Sequence, residues 1–255
     1  MTVYEINAYF ERLFPRETAA GWDSDGLCCC PDGERQVRRV LVALDPTRGA
    51  VDRAVTGGFD LLLTHHPLLF HPLGALTEGK TVPAKLLTLA RAGVSAMAYH
   101  TRLDAAEGGV NDILADLLGV KSAVPFGPEG EIACGRIGTL SAPVSAERFA
   151  ALVKERLGAS CVRLSGGGTV QKIALCGGEG GDLVEAAKAA GADLFLSGRI
   201  GYHRMLDGAE EGMALIEAGH YATEFPVTAY LADLTRRADP AIETEIYETD
   251  VIRTV

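Results

Sequence analysis

The stretch Asp60-Leu61-Leu62-Leu63-Thr64-His65-His66-Pro67 is the most informative segment of the chain. Its apolar and β-branched residues, Leu61 to Thr64, are typical of a buried strand, and Pro67 prevents further strand or helix pairing. His65 and His66 therefore lie at the C-terminal edge of a strand, where ligands bind in parallel α/β sheets. The two imidazoles are either metal ligands or structural groups that hydrogen-bond to backbone carbonyls.

The segments around this strand predict a repeated β-α-β unit. A strand from Val40 to Leu44 and a helix after Pro46 come before it. An ungapped offset of 133 positions matches the unit to a second one, including Val40 with Ile173, Val51 with Val184, Gly58 with Gly191, Asp60 with Asp193, Leu61 with Leu194 and Thr64 with Ser197. His65 and His66 fall on Gly198 and Arg199. The predicted fold class is α/β, with two related three-layer α/β lobes, mixed sheets and an internal β-α-β repeat.

Turn and cap residues suggest how the chain is divided. Thr2 and Glu5 form a capping box that predicts a first helix ending at Pro15, and Ser145 is the expected N-cap of a later helix. The region 120–131 is rich in proline and glycine and marks a boundary. We predict a metal-binding lobe over 1–124, a second α/β lobe over 125–217, and a C-terminal segment, 218–255, that returns to the metal site.

Composition excludes several classes of protein. With 24 Lys plus Arg against 34 Asp plus Glu, the net charge of -10 makes duplex nucleic acid an unlikely partner, although a small anionic substrate is compatible with it. No apolar run reaches the roughly 18 residues of a membrane span. The N-terminus lacks a signal-peptide pattern, so we expect a cytoplasmic protein without a membrane partner. The 6 cysteines lack a C-x-x-C motif and are expected to be free thiols.

Two further strand ends carry histidine and carboxylate. At an offset of 120, His100 falls on His220 and Asp104 falls on Glu224, so that each imidazole precedes a carboxylate by four residues. Taken singly, each pair is explained by a local hydrogen bond at a strand end. Together with the His65-His66 pair, they predict a metal site.

The combination of imidazole and carboxylate suits zinc, iron, manganese, cobalt or nickel. Five ligands, one of them a bridging carboxylate, would give two divalent metal ions three protein bonds each and leave positions for water or substrate. The predicted ligands are His65, His66, Asp104, His220 and Glu224. Such an open site indicates hydrolase chemistry.

Other residues near these strand ends have open roles. His100 is a sixth ligand, a residue that orients Asp104, or a general base, and we expect one of the last two roles. In the glycine-rich loop 177–181, either the amides of Gly178, Gly180 and Gly181 contact a phosphate group or the glycines only permit a tight turn. In the segment 21–27, either a turn packs Trp22 as a buried anchor, with Asp23 and Asp25 only as turn residues, or Asp23 or Asp25 lies near the site; we expect the former.

The sequence resembles the NGG-one-interacting-factor-three-like family, whose members are often called dinuclear metal centre proteins or GTP cyclohydrolase 1 type 2 homologues. The resemblance covers nearly the whole chain, and the segments that carry it are Trp22 to Leu27, Thr64 to Phe70, His100 to Asn111, Cys176 to Asp182, and Gly219 to Glu224. It implies two α/β lobes, two divalent metal ions on the five ligands named above, and a ring-shaped homo-oligomer, commonly a hexamer. Arg199 departs from the acidic residue that is usual in the family, which bears on the expected substrate.

The resemblance leaves the reaction open. A dinuclear metal-dependent hydrolase could open the imidazole ring of GTP as a cyclohydrolase does, or act as a phosphoesterase or amidohydrolase. The alternative is a non-enzymatic metal-binding protein that regulates partner proteins. Open coordination positions favour the enzyme.

Overall fold

The computed structural model of the chain describes residues 1–252, and these residues form two compact units. Unit 1 comprises Met1–Leu103 and Val227–Thr249, and unit 2 comprises Asp104–Pro226 together with residues from 250 onward. The segment that begins at Val227 therefore returns to the first unit. Among the described residues, no helix is both long and apolar enough to span a bilayer.

Unit 1 is built on a five-stranded mixed sheet. Its elements are α1 (Val3–Leu13), β1 (Gly26–Cys29), β2 (Arg39–Ala43), α2 (Arg48–Thr56), β3 (Leu61–Thr64), α3 (Thr81–Ala92), β4 (Ser95–Ala98), the start of α4 (Thr101–Ala105), α10 (Val227–Ala238) and β11 (Glu243–Tyr247). The strand order is β1-β4-β3-β2-β11, with only β1 antiparallel to its neighbour. All four residues of β3 are buried, as the apolar pattern predicts.

Unit 2 is built on a six-stranded mixed sheet. Its elements are α5 (Val110–Leu118), β5 (Lys121–Phe126), β6 (Gly135–Ser145), α6 (Ala146–Arg156), β7 (Arg163–Ser165), β8 (Thr169–Glu179), α7 (Val184–Ala189), β9 (Leu194–Arg199), α8 (Tyr202–Glu210), β10 (Ala214–Glu217) and α9 (His220–Glu224). The strand order is β5-β6-β8-β9-β10-β7. Strand β5 occupies part of the proline- and glycine-rich region that the sequence marks as a boundary.

The helix boundaries follow from local chemistry. Thr2 and Glu5 form the predicted capping box of α1, and Ser145 accepts a hydrogen bond from the backbone of α6. Gly93 and Gly119 end α3 and α5 in the left-handed conformation, which glycine adopts without steric cost. Helix α3 begins at Thr81, and Pro83 lies in its first turn, where a missing backbone N–H breaks no helical hydrogen bond.

Alternating side chains place apolar groups on both faces of the unit 2 sheet. Ile173 and Leu175 of β8 pack with helices α5 and α6, whereas Ala174 and Cys176 face the cluster that includes residues of α7 and α8. A fully buried leucine or isoleucine stabilises the fold by roughly 1.5–3 kcal/mol. The unit therefore has three layers, helix on sheet on helix, as predicted.

The internal repeat is visible in the backbone register of the two sheets. Val40 pairs with Leu61 between β2 and β3, and Ile173 pairs with Leu194 between β8 and β9, which preserves the offset of 133. The strand order β1-β4-β3-β2 of unit 1 corresponds to β7-β10-β9-β8 of unit 2. In the third strand of each repeat, β4 and β10, Ser95 and Ala214 occupy the equivalent position, an offset of 119. The segment from Ala214 to His220 is one residue longer than the segment from Ser95 to His100. The offset of 120 therefore holds only beyond β10.

A carboxylate holds the start of each repeat. Asp60 Oδ2 accepts hydrogen bonds from the backbone N–H groups of residues 38 and 39 at 2.8 and 3.1 Å. Asp193 Oδ2 accepts hydrogen bonds from those of residues 171 and 172 at 2.8 and 2.7 Å. Asp60 is buried and also receives the Arg35 guanidinium at 2.7 Å, whereas Asp193 is exposed.

We expect Asp60→Ala to lower the free energy of unfolding by about 3 kcal/mol, because it leaves two backbone amides and one guanidinium without their buried, charged acceptor. The equivalent change Asp193→Ala should cost about 1 kcal/mol, because water can replace an exposed acceptor. Urea denaturation of both variants measures the two values. Equal costs would contradict the assignment of the difference to burial.

Candidate metal centre

Three histidines of unit 1 come together at the C-terminal edge of its sheet. His65 and His66 follow β3, and His100 follows the adjacent parallel strand β4. Their ring centroids are separated by 4.8 Å (His65 to His66), 5.2 Å (His65 to His100) and 5.4 Å (His66 to His100). One ring nitrogen from each lies within 4.8 Å of the others, a spacing that can hold a metal ion.

Oxygen atoms fix the Nδ1 atom of each of these three rings. His65 Nδ1 lies 2.9 Å from the backbone oxygen of Tyr99, and His66 Nδ1 lies 2.7 Å from Asp45 Oδ1. His100 Nδ1 lies 3.2 Å from Asp23 Oδ2. Because the oxygens beside His65 and His66 belong to a carbonyl and a carboxylate, which accept the proton, these two neutral rings carry their hydrogen on Nδ1. The Nε2 atom is then the one with the lone pair, as in histidines that bind metal ions.

Asp23 and Asp25 both belong to this site, contrary to the expectation that they are only turn residues. Asp23 Oδ2 accepts hydrogen bonds from the Thr101 backbone N–H at 3.0 Å and from its hydroxyl at 2.6 Å. Burial of Asp23 opposes its ionisation, but hydrogen bonds from His100 and Thr101 outweigh this effect and hold its pKa well below the usual range. Asp25 Oδ2 accepts a hydrogen bond from the His100 backbone N–H at 2.8 Å. The two carboxylates fix both the backbone and the ring of His100.

Asp45 is a site residue that the sequence analysis missed. It follows β2, and the parallel register that pairs Ala43 with Thr64 continues to Asp45 and His66. The carboxylate therefore meets the imidazole because the two residues end neighbouring strands. The position of Asp45 after an apolar strand was the signal that could have identified it.

Trp22 is exposed rather than a buried anchor, which corrects the expectation from sequence. Its side chain is 63% exposed, and its ring centroid lies 5.9 Å from that of His100. The aspartate next to it provides the buried contacts of this turn. In this turn the Asp23 side chain is therefore buried, and the Trp22 indole is exposed.

Unit 2 carries the remaining predicted ligands. His220 Nε2 and Glu224 Oε2 are 3.0 Å apart at the two ends of the short helix α9, and Glu224 is buried. Glu224 is the last residue of α9 and not the first of the following helix. The neighbouring Thr223 hydroxyl accepts a hydrogen bond from the Gly178 backbone N–H at 3.1 Å.

Asp104 contributes negative charge to a buried part of unit 2. Burial and the charge of Asp104 raise the pKa of the Cys134 thiol to about 12, and the same two causes raise the pKa of Cys176. Burial likewise raises the pKa of Cys28 to about 12. All six cysteines are free, as predicted. Because thiolates rather than thiols bind metals, these raised pKa values favour imidazole and carboxylate as the ligands.

The segment 177–181 is largely strand rather than loop, which corrects the sequence analysis. Strand β8 extends to Glu179, and a single 3-10 turn follows it. The backbone N–H groups of Gly178 and Gly180 donate to the hydroxyls of Thr223 and Ser197. A Cβ atom at Gly178 would lie only 2.1 Å from Glu224 Oε1, so glycine provides space for that carboxylate. Phosphate contact by Gly178, Gly180 and Gly181 stays a prediction.

Comparison with known proteins places the chain in a family. The family profile of Duf34/NIF3 (NGG1p interacting factor 3) matches residues 1–254. A GTP cyclohydrolase 1 type 2 homolog of Clostridium perfringens is 30% identical over 249 residues, 95% of each chain. One of Streptomyces coelicolor is 35% identical over 232 residues, 87% of this chain and 81% of the relative.

Solved structures share the fold. The crystal structure of a hypothetical protein from Staphylococcus aureus superposes with a TM-score of 0.89 at 25% identity, covering 100% of this chain and 99% of the other. A Bacillus cereus protein related to NIF3 gives a TM-score of 0.88 at 21% identity, with 100% and 99% coverage. The chain belongs to the Duf34/NIF3 family.

Proposed function

We propose that the protein is a hydrolase that depends on two divalent metal ions and acts on a small anionic substrate, a nucleotide being the first candidate. The ligands we assign are His65, His66, Asp104, His220 and Glu224. The observation that carries the proposal is the set of imidazoles whose Nδ1 atoms are held by oxygen, which orients their Nε2 atoms for a cation. Relatives named GTP cyclohydrolase 1 type 2 homolog support the nucleotide class.

The donor set fits zinc, iron, manganese, cobalt or nickel better than calcium or magnesium, which prefer oxygen ligands. Divalent cations in an open site lower the pKa of a coordinated water and polarise the bond under attack. His100 is the general base in this proposal. The Asp23 carboxylate lies 3.2 Å from His100 Nδ1, and this negative charge favours the tautomer with hydrogen on Nδ1, in which Nε2 can accept a proton.

The decisive experiment is purification without a metal-affinity column, followed by elemental analysis and a screen against a pool of nucleotides, phosphoesters and amides. We expect two divalent cations per chain and a hydrolytic product that disappears after chelation. A protein that binds no divalent cation would contradict the proposal. A closed homo-oligomer, a hexamer, is a further proposal from the resemblance to the family, and light scattering measures it.

Asp45→Ala should weaken metal affinity by about 10- to 100-fold, because the carboxylate orients His66 without being one of the proposed ligands. Its Oδ1 atom lies 2.7 Å from His66 Nδ1. Competition with a chelator of known affinity measures the loss. The matched control is Asp52→Ala on the exposed face of α2, which should leave the affinity unchanged. An unchanged affinity in Asp45→Ala would remove this carboxylate from the proposed site.

A further inference from the structure

We infer that Trp22 and Phe70 form an aromatic wall that stacks a planar heteroaromatic ring of the substrate beside the histidines of unit 1. This inference rests on the proposed function, because it names the chemical class of molecule that the centre takes. It assigns a binding role to two residues that contribute no metal ligand. The occupant is a small molecule with a flat π-system joined to an anionic group.

The exposure of the two rings is the first observation. Trp22 is 63% exposed and Phe70 is 40% exposed, and their ring centroids are 5.7 Å apart. Single exposed apolar side chains are common, but two adjacent aromatic rings form a contiguous apolar surface. The planes of Trp22 and Phe70 are inclined by 52°, and those of Trp22 and His100 by 69°. Neither neighbour stacks parallel to the indole, so its exposed face is suited to a planar ligand.

The segments that carry the two rings are held in place. The Ser24 hydroxyl lies within hydrogen-bond distance of the backbone oxygens of both Leu69 and Phe70, the latter at 3.2 Å. The Asp23 backbone N–H donates to the Ala20 oxygen at 2.9 Å. The Ser24 contacts tie the turn before β1 to the segment after β3, and the Asp23 bond closes the turn itself. A fixed wall loses little conformational entropy when a ligand binds, which increases its affinity.

The third observation is the position of the wall. The ring centroid of His100 lies 5.9 Å from that of Trp22 and 6.2 Å from that of Phe70. A ring stacked on the indole would therefore lie beside the imidazole that we propose as general base. Aromatic side chains stack on nucleobases and similar heterocycles through their π-faces whatever the base. The wall accordingly selects for a flat ring and not for one particular base.

The single tryptophan of the chain makes the test direct, because all indole fluorescence comes from Trp22. The purified full-length protein is excited at the red edge of indole absorption and titrated with guanosine, adenosine or uridine 5′-monophosphate. Ribose 5-phosphate, which has the same anion without a ring, is the control. We expect saturable quenching by at least one nucleotide and none by ribose 5-phosphate. Equal responses to nucleotide and sugar phosphate, or no response at millimolar concentrations, would overturn the inference.

Variants separate stacking from other roles. Trp22→Leu keeps apolar volume but removes the ring, and it should weaken nucleotide binding in equilibrium dialysis by about tenfold or more. Phe70→Leu should give a smaller loss, and Tyr202→Leu, a change at an equally exposed aromatic on α8, should give none. Metal content should equal that of the wild type in all three.

The outcomes also distinguish this inference from the proposed function. Ring-dependent quenching in a protein that binds no metal and hydrolyses nothing would support the wall and contradict the hydrolase. A metal-loaded, active protein in which Trp22→Leu keeps the wild-type kcat/KM and nucleotide affinity would overturn the wall alone. A change of oligomer size in Trp22→Leu with unchanged nucleotide binding would also overturn it, and would assign Trp22 to a contact between copies of the chain.

Discussion

Glu224→Gln will lose at least one divalent cation per chain and nearly all hydrolytic activity, while its circular dichroism spectrum and oligomer size stay those of the wild type. The substitution keeps the shape of the side chain and removes its charge. In the proposed centre, Glu224 would be the carboxylate shared by two cations, and its charge would reduce their mutual repulsion. An amide oxygen carries no net charge and cannot offset two cations in a buried environment.

The surroundings of Glu224 support this prediction. Its carboxylate is 4% exposed and lies 3.0 Å from His220 Nε2. Gly178 leaves it space, because a Cβ atom there would lie 2.1 Å from Oε1. The carboxylate is therefore buried and packed against the Gly178 backbone, an environment that suits a metal ligand better than an exposed position does.

Two controls accompany Glu224→Gln. Glu185→Gln makes the same chemical change at an exposed position of α7, and His203→Ala removes an exposed imidazole; both variants should keep two cations. Elemental analysis after gel filtration measures the metal content. Two cations held by Glu224→Gln at unchanged affinity would show that the carboxylate does not bridge. Loss of metal with full activity would refute the dinuclear hydrolase.

The sequence predicts the fold well because its signals are local and repeated. The strand before His65 is a continuous apolar run, and the repeat at an offset of 133 reappears in the register of both sheets and in the contacts of Asp60 and Asp193. Histidines at the ends of β3 and β4 were expected to meet because parallel neighbouring strands end at the same edge. In unit 1, the ring centroids of His65 and His100 lie 5.2 Å apart.

The features that the sequence did not predict depend on tertiary contacts. Asp45 reaches His66 only through the register of two strands separated by a helix. Trp22 is exposed although tryptophan is usually buried, because hydrogen bonds of Ala20 and Asp23, and not the indole, hold this turn. The short helix α9 starts after Gly219, whose positive φ of 93° is a backbone state that apolar periodicity does not encode.

Arg102→Met will lower the free energy of unfolding by about 3–5 kcal/mol, because it removes one partner of a buried ionic network. This loss is larger than those expected for Asp60→Ala and Asp193→Ala. The Arg102 side chain is 1% exposed. It donates to Glu11 Oε2 at 2.8 Å, to Asp25 Oδ2 at 3.0 Å and to the Phe14 backbone oxygen at 2.7 Å. Burial opposes its charge, but the hydrogen bonds to Glu11 and Asp25 outweigh this and raise its pKa above the ordinary value.

Methionine would fill much of the volume of Arg102 and leave Asp25 Oδ2 without a guanidinium, while Arg16 still contacts Oδ1 at 2.7 Å. Since Asp25 also accepts the His100 backbone N–H at 2.8 Å, the change should reach the histidine cluster as well as the stability. Urea denaturation measures the loss of stability, and chelator competition on the still-folded protein at low temperature measures the effect on the histidine cluster.

Arg102→Lys keeps the charge but not the planar fork of the guanidinium, and should recover only part of the stability. Arg148→Met, at an exposed position of α6, should change the free energy of unfolding by less than about 0.5 kcal/mol. A loss in Arg102→Met no larger than that of Arg148→Met would show that the buried network does not hold the turn that carries Asp23 and Asp25.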